Sequence, residues 1–189
     1  GYDLDLKEQS ALTLDDDALE DIAHRAEILG CVVSVGFIER ADEGYYVSQA
    51  YLGTAIRQVY RKCHRTGWEK EHCLAGNDLS IQDLGFIKTG TQICYDSACP
   101  RGSEHLVRSG AGLLVTPTCK GLMMKDVEEL GDKEAAVEAR RQHVGKYWRA
   151  RAYDYGVYAC YVENVGETSK GEFHPGYAGV YGPDGECII

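Results

Sequence analysis

Cys94 occupies a position in the sequence at which a thiol can act as a nucleophile. Thr91-Gln92-Ile93-Cys94 predicts a short strand, and Pro100 precedes a predicted helix over residues 101–109. Functional sites in α/β folds form at the carboxyl ends of strands. Backbone N–H groups at such a junction can hold a developing oxyanion. The alternative is a buried core cysteine, which is the commoner fate of this residue type.

Lys62 and Glu69 could serve such a thiol. Lys62 lies in Tyr60-Arg61-Lys62-Cys63-His64, at the start of a long polar segment, and Glu69 follows seven residues later. A lysine near a thiol favours the thiolate and can stabilise an oxyanion. A carboxylate can orient the lysine or transfer a proton. Each residue alone is ordinary surface or loop material, so the indication of function comes from their combination.

The adjacent pairs Cys63-His64 and His72-Cys73 raise a zinc site as an alternative. All four side chains are zinc ligand types, but structural zinc sites usually separate their paired ligands by two to five residues. Adjacent side chains on an extended segment point to opposite faces. The spacing therefore favours ordinary loop residues over a zinc module.

The elements that must position these residues alternate between helices and strands. Helices are predicted over residues 13–29, 101–109 and 125–152, the last with an interruption at Gly131. Strands are predicted over residues 31–38, 45–52, 91–94, 112–117, 157–162 and 177–181, with a turn and a short strand within 53–60 and a last short strand after a turn at 182–185. Residues 61–83 are predicted to form a long irregular loop. The alternation indicates an α/β fold in which helices cover a sheet.

Composition excludes several classes of partner. The 189 residues carry 20 Lys and Arg against 30 Asp and Glu, a net charge of −10, and the pI is near 5.0. This balance argues against nucleic-acid and anionic-membrane partners, which need clustered cations. No apolar run approaches the roughly 18 residues that span a bilayer, and the acidic start differs from an export signal. The 8 cysteines are scattered, so we expect free thiols in a reducing cytoplasm.

Taken in order, the motifs resemble the nitrilase superfamily of carbon–nitrogen hydrolases. The motifs are Tyr60-Arg61-Lys62-x-His64, Trp68-Glu69-Lys70-Glu71, Ile93-Cys94-Tyr95-Asp96 with Pro100, and Leu113-Leu114-Val115-Thr116-Pro117. Similar segments at 35–39, 151–154 and 176–185 extend the resemblance over nearly the whole chain. The resemblance implies an α-β-β-α sandwich, a single domain over residues 1–189, a homo-oligomer, and an enzyme that needs no metal or organic cofactor.

The resemblance also implies a role for each candidate residue. Cys94 matches the nucleophile, and Lys62 matches the triad lysine, which stabilises the tetrahedral intermediate together with the backbone N–H of Tyr95. Glu69 matches a second carboxylate that positions the lysine and the substrate. The Cys-Tyr-Asp form is similar to the amidase and carbamoylase branches. It implies hydrolysis of a small-molecule amide or N-carbamoyl bond through a Cys thioester.

Two departures from the family pattern carry expectations of their own. The family's general-base glutamate precedes a Gly-Tyr pair, and this sequence opens with Gly1-Tyr2. We therefore expect the base upstream, and the final strand pair and C-terminal tail beyond Ile189. Glu39 and Glu43 are expected to be structural. Pro100-Arg101-x-x-Glu104 reverses the family's order of Glu and Arg, and predicts an i,i+3 ion pair on one helix.

Two other functions stay open at this point. The chain could be a non-catalytic fragment or binding module, although Lys62, Glu69 and Cys94 are all present. A Cys/His hydrolase would need a partner such as His105, eleven residues after Cys94, and no third group stands out to orient it.

Overall fold

The computed structural model describes residue 5 and residues 7–53, 56–168 and 171–189. Its strands are β1 (Val32–Ala41), β2 (Gly44–Gly53), β3 (Ile56–Arg61), β4 (Ile81–Asp83), β5 (Lys88–Thr91), β6 (Leu113–Thr118), β7 (Leu122–Met123), β8 (Tyr158–Glu163), β9 (Val165–Glu167), β10 (Glu172–Pro175) and β11 (Ala178–Tyr181). Its helices are α1 (Lys7–Ser10), α2 (Asp17–Leu29), α3 (Glu69–His72), α4 (Pro100–Arg108), α5 (Met124–Leu130) and α6 (Lys133–Tyr155), and a 3₁₀ turn spans Cys94–Ala98.

Two sheets form the centre of the molecule. The first has the order β1-β2-β3 and is antiparallel, and the second has the order β11-β8-β6-β5-β4 with β5, β6 and β8 parallel. The sheets face each other, and the Tyr51 hydroxyl lies 2.7 Å from the Thr91 hydroxyl across the gap between them. β-Branched and aromatic residues are frequent in these strands, as expected for side chains that pack on a pleated sheet.

Helices cover the outer faces of both sheets. On the first sheet, α2 packs Leu19 and Ala23 against Ala50 and Leu52. On the second sheet, α6 and α4 bury the clusters Val144, Trp148, Ala152, Ala159, Tyr161 and Tyr181, and Leu106, Ala111, Leu114 and Val157. The arrangement is helix, sheet, sheet, helix, which confirms the predicted α/β class and α-β-β-α sandwich.

Local sequence signals explain where the main helices begin and end. Asp16 caps α2 by accepting a hydrogen bond from the Ala18 N–H at 3.0 Å, and Gly30 ends it with a φ of 62°. The predicted break in the long C-terminal helix is confirmed at Gly131, whose φ is 118°. Asp132 then caps α6 by accepting from the Ala135 N–H at 2.8 Å. Polar caps thus set the boundaries that periodicity alone places loosely.

The strand predicted over residues 91–94 is wrong in position. β5 ends at Thr91, and Cys94 begins the 3₁₀ turn. The physical reason is the Asp96 carboxylate, which accepts a hydrogen bond from the Ile93 N–H at 3.1 Å and turns the chain out of the sheet. Side-chain capture of a backbone N–H competes with strand pairing in this way.

Several short elements differ from the predicted pattern. The segment 61–83 contains α3 and β4 instead of being wholly irregular, and a third sheet of order β7-β10-β9 was not predicted. The segment after the turn at 182–185 contributes a bridge between Tyr181 and Cys187 rather than a described strand. Residues 54–55, which belong to the turn and short strand predicted within 53–60, and the Gly1-Tyr2 pair lie outside the described residues.

The expectations about the cysteines and about membrane-spanning segments can be compared with the described residues. All eight cysteines are free thiols. Across residues 7–53, 56–168 and 171–189, no helix is both long enough and apolar enough to cross a membrane.

Candidate active site

Lys62 and Glu69 form a buried ion pair beyond the end of β3. The Lys62 Nζ lies 2.6 Å and 2.8 Å from the two carboxylate oxygens of Glu69. The two side chains are only 2% and 1% exposed. Glu69 is the first residue of α3, and its carboxylate also accepts from the Thr66 N–H. The ammonium group is therefore held in one place by a fully bonded carboxylate.

The loop after α3 closes tightly over the backbone of β3. The Gly76 N–H donates to the Lys62 carbonyl at 2.8 Å. A Cβ at position 76 would lie 2.2 Å from the Arg61 carbonyl oxygen, which no side chain tolerates. Glycine is required here by close backbone approach, and this contact fixes the backbone that carries Lys62.

Cys94 sits in a strained backbone conformation at the start of the 3₁₀ turn. Its φ is 49°, and among the described residues it is the non-glycine residue with a positive φ. Such conformations persist only where the surroundings impose them, and they cluster at functional sites. Cys94 is half-buried, so its thiol is neither a core side chain nor freely solvated.

Asp96 ties the turn that carries Cys94 to the segment that carries Lys62. One carboxylate oxygen accepts from the Tyr60 hydroxyl at 2.8 Å. The other lies 2.7 Å from the His64 N–H and 2.9 Å from His64 Nδ1. Together with its bond from the Ile93 N–H, the carboxylate joins both segments at one buried point. Asp96 belongs to a motif noted in the sequence, where no role was predicted for it; its position in a turn two residues after Cys94 was the available signal.

The far side of the turn is anchored by α4 and α6. The Ser103 hydroxyl donates to the Gln92 side-chain oxygen at 2.7 Å, and the Gln92 amide donates to the Asp96 carbonyl at 3.2 Å. The Arg151 guanidinium donates to the Ser97 carbonyl at 2.7 Å. Both helices thus hold the turn from the side opposite Lys62.

Cys94, Lys62 and Glu69 all line one cavity of about 170 Å³. We call this the reaction cavity; its other walls are Gly36, Phe37, Val47, Ser48, Gln49, Ile93, Pro117, Thr118, Cys119 and Asn164. Burial raises the pKa of the Cys94 thiol, while the positive charge of Lys62 works in the opposite direction. Both effects act on the thiolate, which is the nucleophilic form of a cysteine.

The remaining carboxylates of the site region have structural partners. Glu39 is buried and accepts from Ser48 at 2.6 Å and from Arg61 at 2.9 Å. Glu43 accepts from Tyr46 at 2.9 Å and also pairs with Arg61. These contacts agree with the structural role expected for both glutamates.

Three further expectations from the sequence concern the Arg101–Glu104 ion pair, His105 and the Tyr95 N–H. The predicted ion pair between Arg101 and Glu104 is wrong, because Glu104 accepts from Arg108 one helical turn further on, at 2.9 Å. His105 is exposed on α4 and does not line the reaction cavity. The Tyr95 N–H directly follows Cys94, and its oxyanion role stays a prediction.

Cys63, His64, His72 and Cys73, the candidate zinc ligands, do not form a metal site. Within the described part of the chain, no group of three or more His, Cys, Asp and Glu side chains could hold a metal ion. His64 is bonded to Asp96, and His72 Nδ1 lies 3.5 Å from the Lys7 ammonium group. The adjacent Cys-His pairs therefore have separate local surroundings.

Comparison with known proteins places this geometry in a family. The carbon–nitrogen hydrolase family model matches residues 1–189. The chain is 30% identical over 130 residues to a probable nitrilase of Schizosaccharomyces pombe, covering 69% of this chain and 42% of the relative. It is 26% identical over 171 residues to an N-carbamoylputrescine amidase of Solanum lycopersicum, covering 86% of this chain and 56% of the relative.

A solved structure shows the same fold. The carbon–nitrogen hydrolase from Helicobacter pylori G27 superposes with a TM-score of 0.81 at 21% identity, over 98% of this chain and 65% of that one. The chain spans about half the length of the two curated relatives described above. On the family match over its whole length, the chain belongs to the carbon–nitrogen hydrolase family, that is, to the nitrilase superfamily.

Proposed function

We propose that the protein hydrolyses the carbon–nitrogen bond of a small amide or N-carbamoyl compound through a thioester on Cys94. The observation that carries this proposal is the shared cavity of Cys94 and the buried Lys62–Glu69 pair. A nucleophile beside a fixed cation in a cavity of this size suits attack on a small carbonyl group. The similarity to an N-carbamoylputrescine amidase supports the same class of reaction.

The chemistry proceeds in two halves. The Cys94 sulfur gives up its proton to a base and attacks the carbonyl carbon; a C–S bond forms and the carbonyl π electrons move to oxygen. Lys62 and the backbone N–H of Tyr95 stabilise that oxyanion. The C–N bond then breaks, and the nitrogen leaves as ammonia or an amine after taking the proton from the base. Water attacks the thioester, the acid is released, and the thiol regains its proton.

We assign the base to a carboxylate outside the described residues. Burial keeps the Cys94 pKa high, so a proton acceptor is needed at neutral pH. Glu69 is occupied by Lys62 and the Thr66 N–H, and Glu39 by Arg61 and Ser48. Glu69 therefore serves to hold the lysine instead of receiving the thiol proton.

The alternative of a non-catalytic module fits the site less well. Burying a lysine and a glutamate costs several kcal/mol of desolvation per ion, and apolar residues often replace such pairs without loss of stability. A fold without a reaction to perform has no need for this pair beside a half-buried thiol. Its presence in the wall of the reaction cavity favours catalysis.

The test is ammonia release by the full-length protein across a panel of amides and N-carbamoyl compounds. We expect release by the wild type and by Cys99→Ala, and none above background from Cys94→Ala. Cys99 is an exposed thiol five residues away, so it controls for the loss of a cysteine in the same segment. Equal release by Cys94→Ala and the wild type would contradict the proposal.

We also propose, from the family resemblance, that the protein is a cytoplasmic homo-oligomer. Sedimentation velocity of the purified full-length protein measures the assembly directly. A mass that stays at one chain at all concentrations would contradict this part of the proposal.

A further inference from the structure

A second cavity lies on the other side of Cys94. It has a volume of about 320 Å³ and shares Cys94 and Thr118 with the reaction cavity. We call it the cationic cavity, since its walls include Lys120, Arg140, His143, Tyr147, Trp148 and Arg151. A substrate whose carbonyl group reaches Cys94 can therefore extend its remaining atoms into this space.

The charges that line the cationic cavity are unbalanced. Three cations line it, and no Asp or Glu is among its lining residues. Arg140 is 8% exposed and lies 3.3 Å from Glu163, which is not part of the lining, so its charge is partly offset. Arg151 donates to a carbonyl and lies over the Trp148 ring, neither of which neutralises it. Lys120 is exposed and, within the described residues, its ammonium group has no ion pair.

Lys120 and Arg151 are therefore the cations of this cavity that lack a carboxylate partner among its lining residues. The buried Nε of Arg140 lies 3.3 Å from a Glu163 carboxylate oxygen without forming a hydrogen bond, so this arginine already faces one carboxylate. The pKa of His143 is lowered, first by burial and then by the positive charges of Arg140, Lys120 and Lys146. In a chain with a net charge of −10, a cavity lined by three cations and by no Asp or Glu is a local exception that needs a reason.

We propose that the cationic cavity binds a carboxylate at the far end of the substrate. The substrates are then amides or N-carbamoyl compounds that also carry a carboxylic acid. Arginine and lysine bind carboxylates through charge-assisted hydrogen bonds, and the Tyr147 and Trp148 rings can pack against an aliphatic linker. This inference rests on the proposed function, because it assigns the non-reacting end of the same substrate.

The inference separates this chain from a relative that it resembles. N-carbamoylputrescine, which names that relative, ends in an ammonium group. Placing an ammonium beside Lys120 and Arg151 brings like charges together in a partly desolvated space, which is unfavourable. We therefore expect the present protein to discriminate against such a substrate.

Binding to the full-length Cys94→Ala variant tests the inference without turnover. Three ligands of matched length differ only at the far end: N-carbamoyl-4-aminobutyrate, N-carbamoylbutylamine and N-carbamoylputrescine. By calorimetry we expect the carboxylate ligand to bind about tenfold or more tightly than the neutral one, and the ammonium ligand to bind most weakly. Equal affinities, tightest binding of the ammonium ligand, or no binding of the carboxylate ligand would overturn the inference.

A charge reversal in the cavity wall tests whether Lys120 causes the preference for the carboxylate ligand. Adding Lys120→Glu should remove the preference for the carboxylate ligand, whereas adding Lys125→Glu should preserve it. Lys125 is exposed on α5 and does not line the cavity, so it controls for the change in net charge. A preference that survives Lys120→Glu would also overturn the inference.

Turnover by the wild type distinguishes this inference from the proposed function. Hydrolysis of the neutral and carboxylate compounds at equal kcat/KM would contradict the inference alone. Tight, Lys120-dependent binding of the carboxylate ligand without hydrolysis of any compound would contradict the proposed function alone.

Discussion

The two cavities that meet at Cys94 differ in how their charges are satisfied. In the reaction cavity the lysine and the glutamate neutralise each other at 2.6 Å and are almost fully buried. In the cationic cavity, Lys120 and Arg151 have no opposing carboxylate in the lining. The first arrangement is organised before substrate arrives, whereas the second gains its missing charge from a ligand. A fixed site suits the reacting atoms, and an unpaired site suits selection among substrates.

Breaking the buried pair should have the largest effect. Lys62→Met or Glu69→Leu leaves an uncompensated buried charge, and each should lower the free energy of unfolding by about 3–5 kcal/mol. The double variant should recover most of that stability, because it removes both charges. All three variants should lose ammonia release by about a hundredfold or more, because the oxyanion loses its fixed cation.

Urea denaturation and ammonia release on the same samples separate the two roles of the pair. A double variant that regains activity together with stability would mean that the pair is only structural. Single variants as stable as the wild type would mean that the pair is not buried as described.

Loosening the Asp96 anchor should have the next largest effect. Asp96→Asn cannot accept all of the bonds from Tyr60, His64 and Ile93, so we expect a loss of about 1–3 kcal/mol in unfolding free energy. The turn that carries Cys94 should also become less well placed, and kcat should fall by about ten- to a hundredfold. Thermal denaturation and steady-state kinetics measure the two quantities.

Tyr60→Phe is a milder control for Asp96→Asn, because it perturbs only one of the hydrogen bonds to the carboxylate. It removes one donor from Asp96 and should cost about 1 kcal/mol, with a smaller loss of kcat. If Tyr60→Phe costs as much as Asp96→Asn, the carboxylate is not the shared anchor of the two segments.

Two glycine positions near the reaction cavity should respond differently to a methyl group. Gly76→Ala places a Cβ 2.2 Å from the Arg61 carbonyl oxygen and should destabilise the protein by about 1–3 kcal/mol. Gly67→Ala meets nothing within 4 Å and should leave stability within about 0.5 kcal/mol of the wild type. Similar denaturation midpoints for both variants would contradict the close approach over Lys62.

The smallest expected effect concerns the reactivity of the Cys94 thiol. The Cys94 pKa is raised by burial and lowered by Lys62, so alkylation by iodoacetamide should accelerate as the pH rises toward that pKa. Lys62→Met removes the lowering charge, and the pKa should rise further. At pH 8 the variant should react about three- to tenfold more slowly.

Peptide mass spectrometry measures alkylation of Cys94 separately from the other thiols. Lys70→Met removes an exposed lysine of α3 that does not line the reaction cavity, and it should react like the wild type. Faster alkylation of Cys94 in Lys62→Met would contradict the electrostatic assignment.

Sequence patterns predicted the parts of the molecule that depend on local signals. The end of α2 at Leu29 and the break at Gly131 follow from local signals and were placed, whereas the caps at Asp16 and Asp132 were not predicted. The strand predicted over residues 91–94 ends at Thr91 instead, because the Ile93 N–H donates to the Asp96 side chain and not to a neighbouring strand. Strands of two to four residues, such as β7, β9 and β10, are too short for an alternation of apolar and polar residues to be recognised in the sequence.

The residues of the reaction cavity were easier to predict from the sequence than those of the cationic cavity. Cys94, Lys62 and Glu69 were predicted through a motif, and the structure places them around one space. Lys120, Arg140 and Arg151 belong to no motif, and Lys120 comes near the two arginines of α6 because α6 packs on the second sheet. No local pattern marks such residues, since on their own they are indistinguishable from a solvated helix face.

Detection of the covalent intermediate tests the central claim most directly. After rapid mixing of the full-length protein with an amide that it hydrolyses, acid quenching and intact-protein mass spectrometry should show an added acyl group. Hydroxylamine should remove that group, and peptide analysis should place it on Cys94. Hydrolysis without any adduct on Cys94, at a rate that Cys94→Ala retains, would contradict the account.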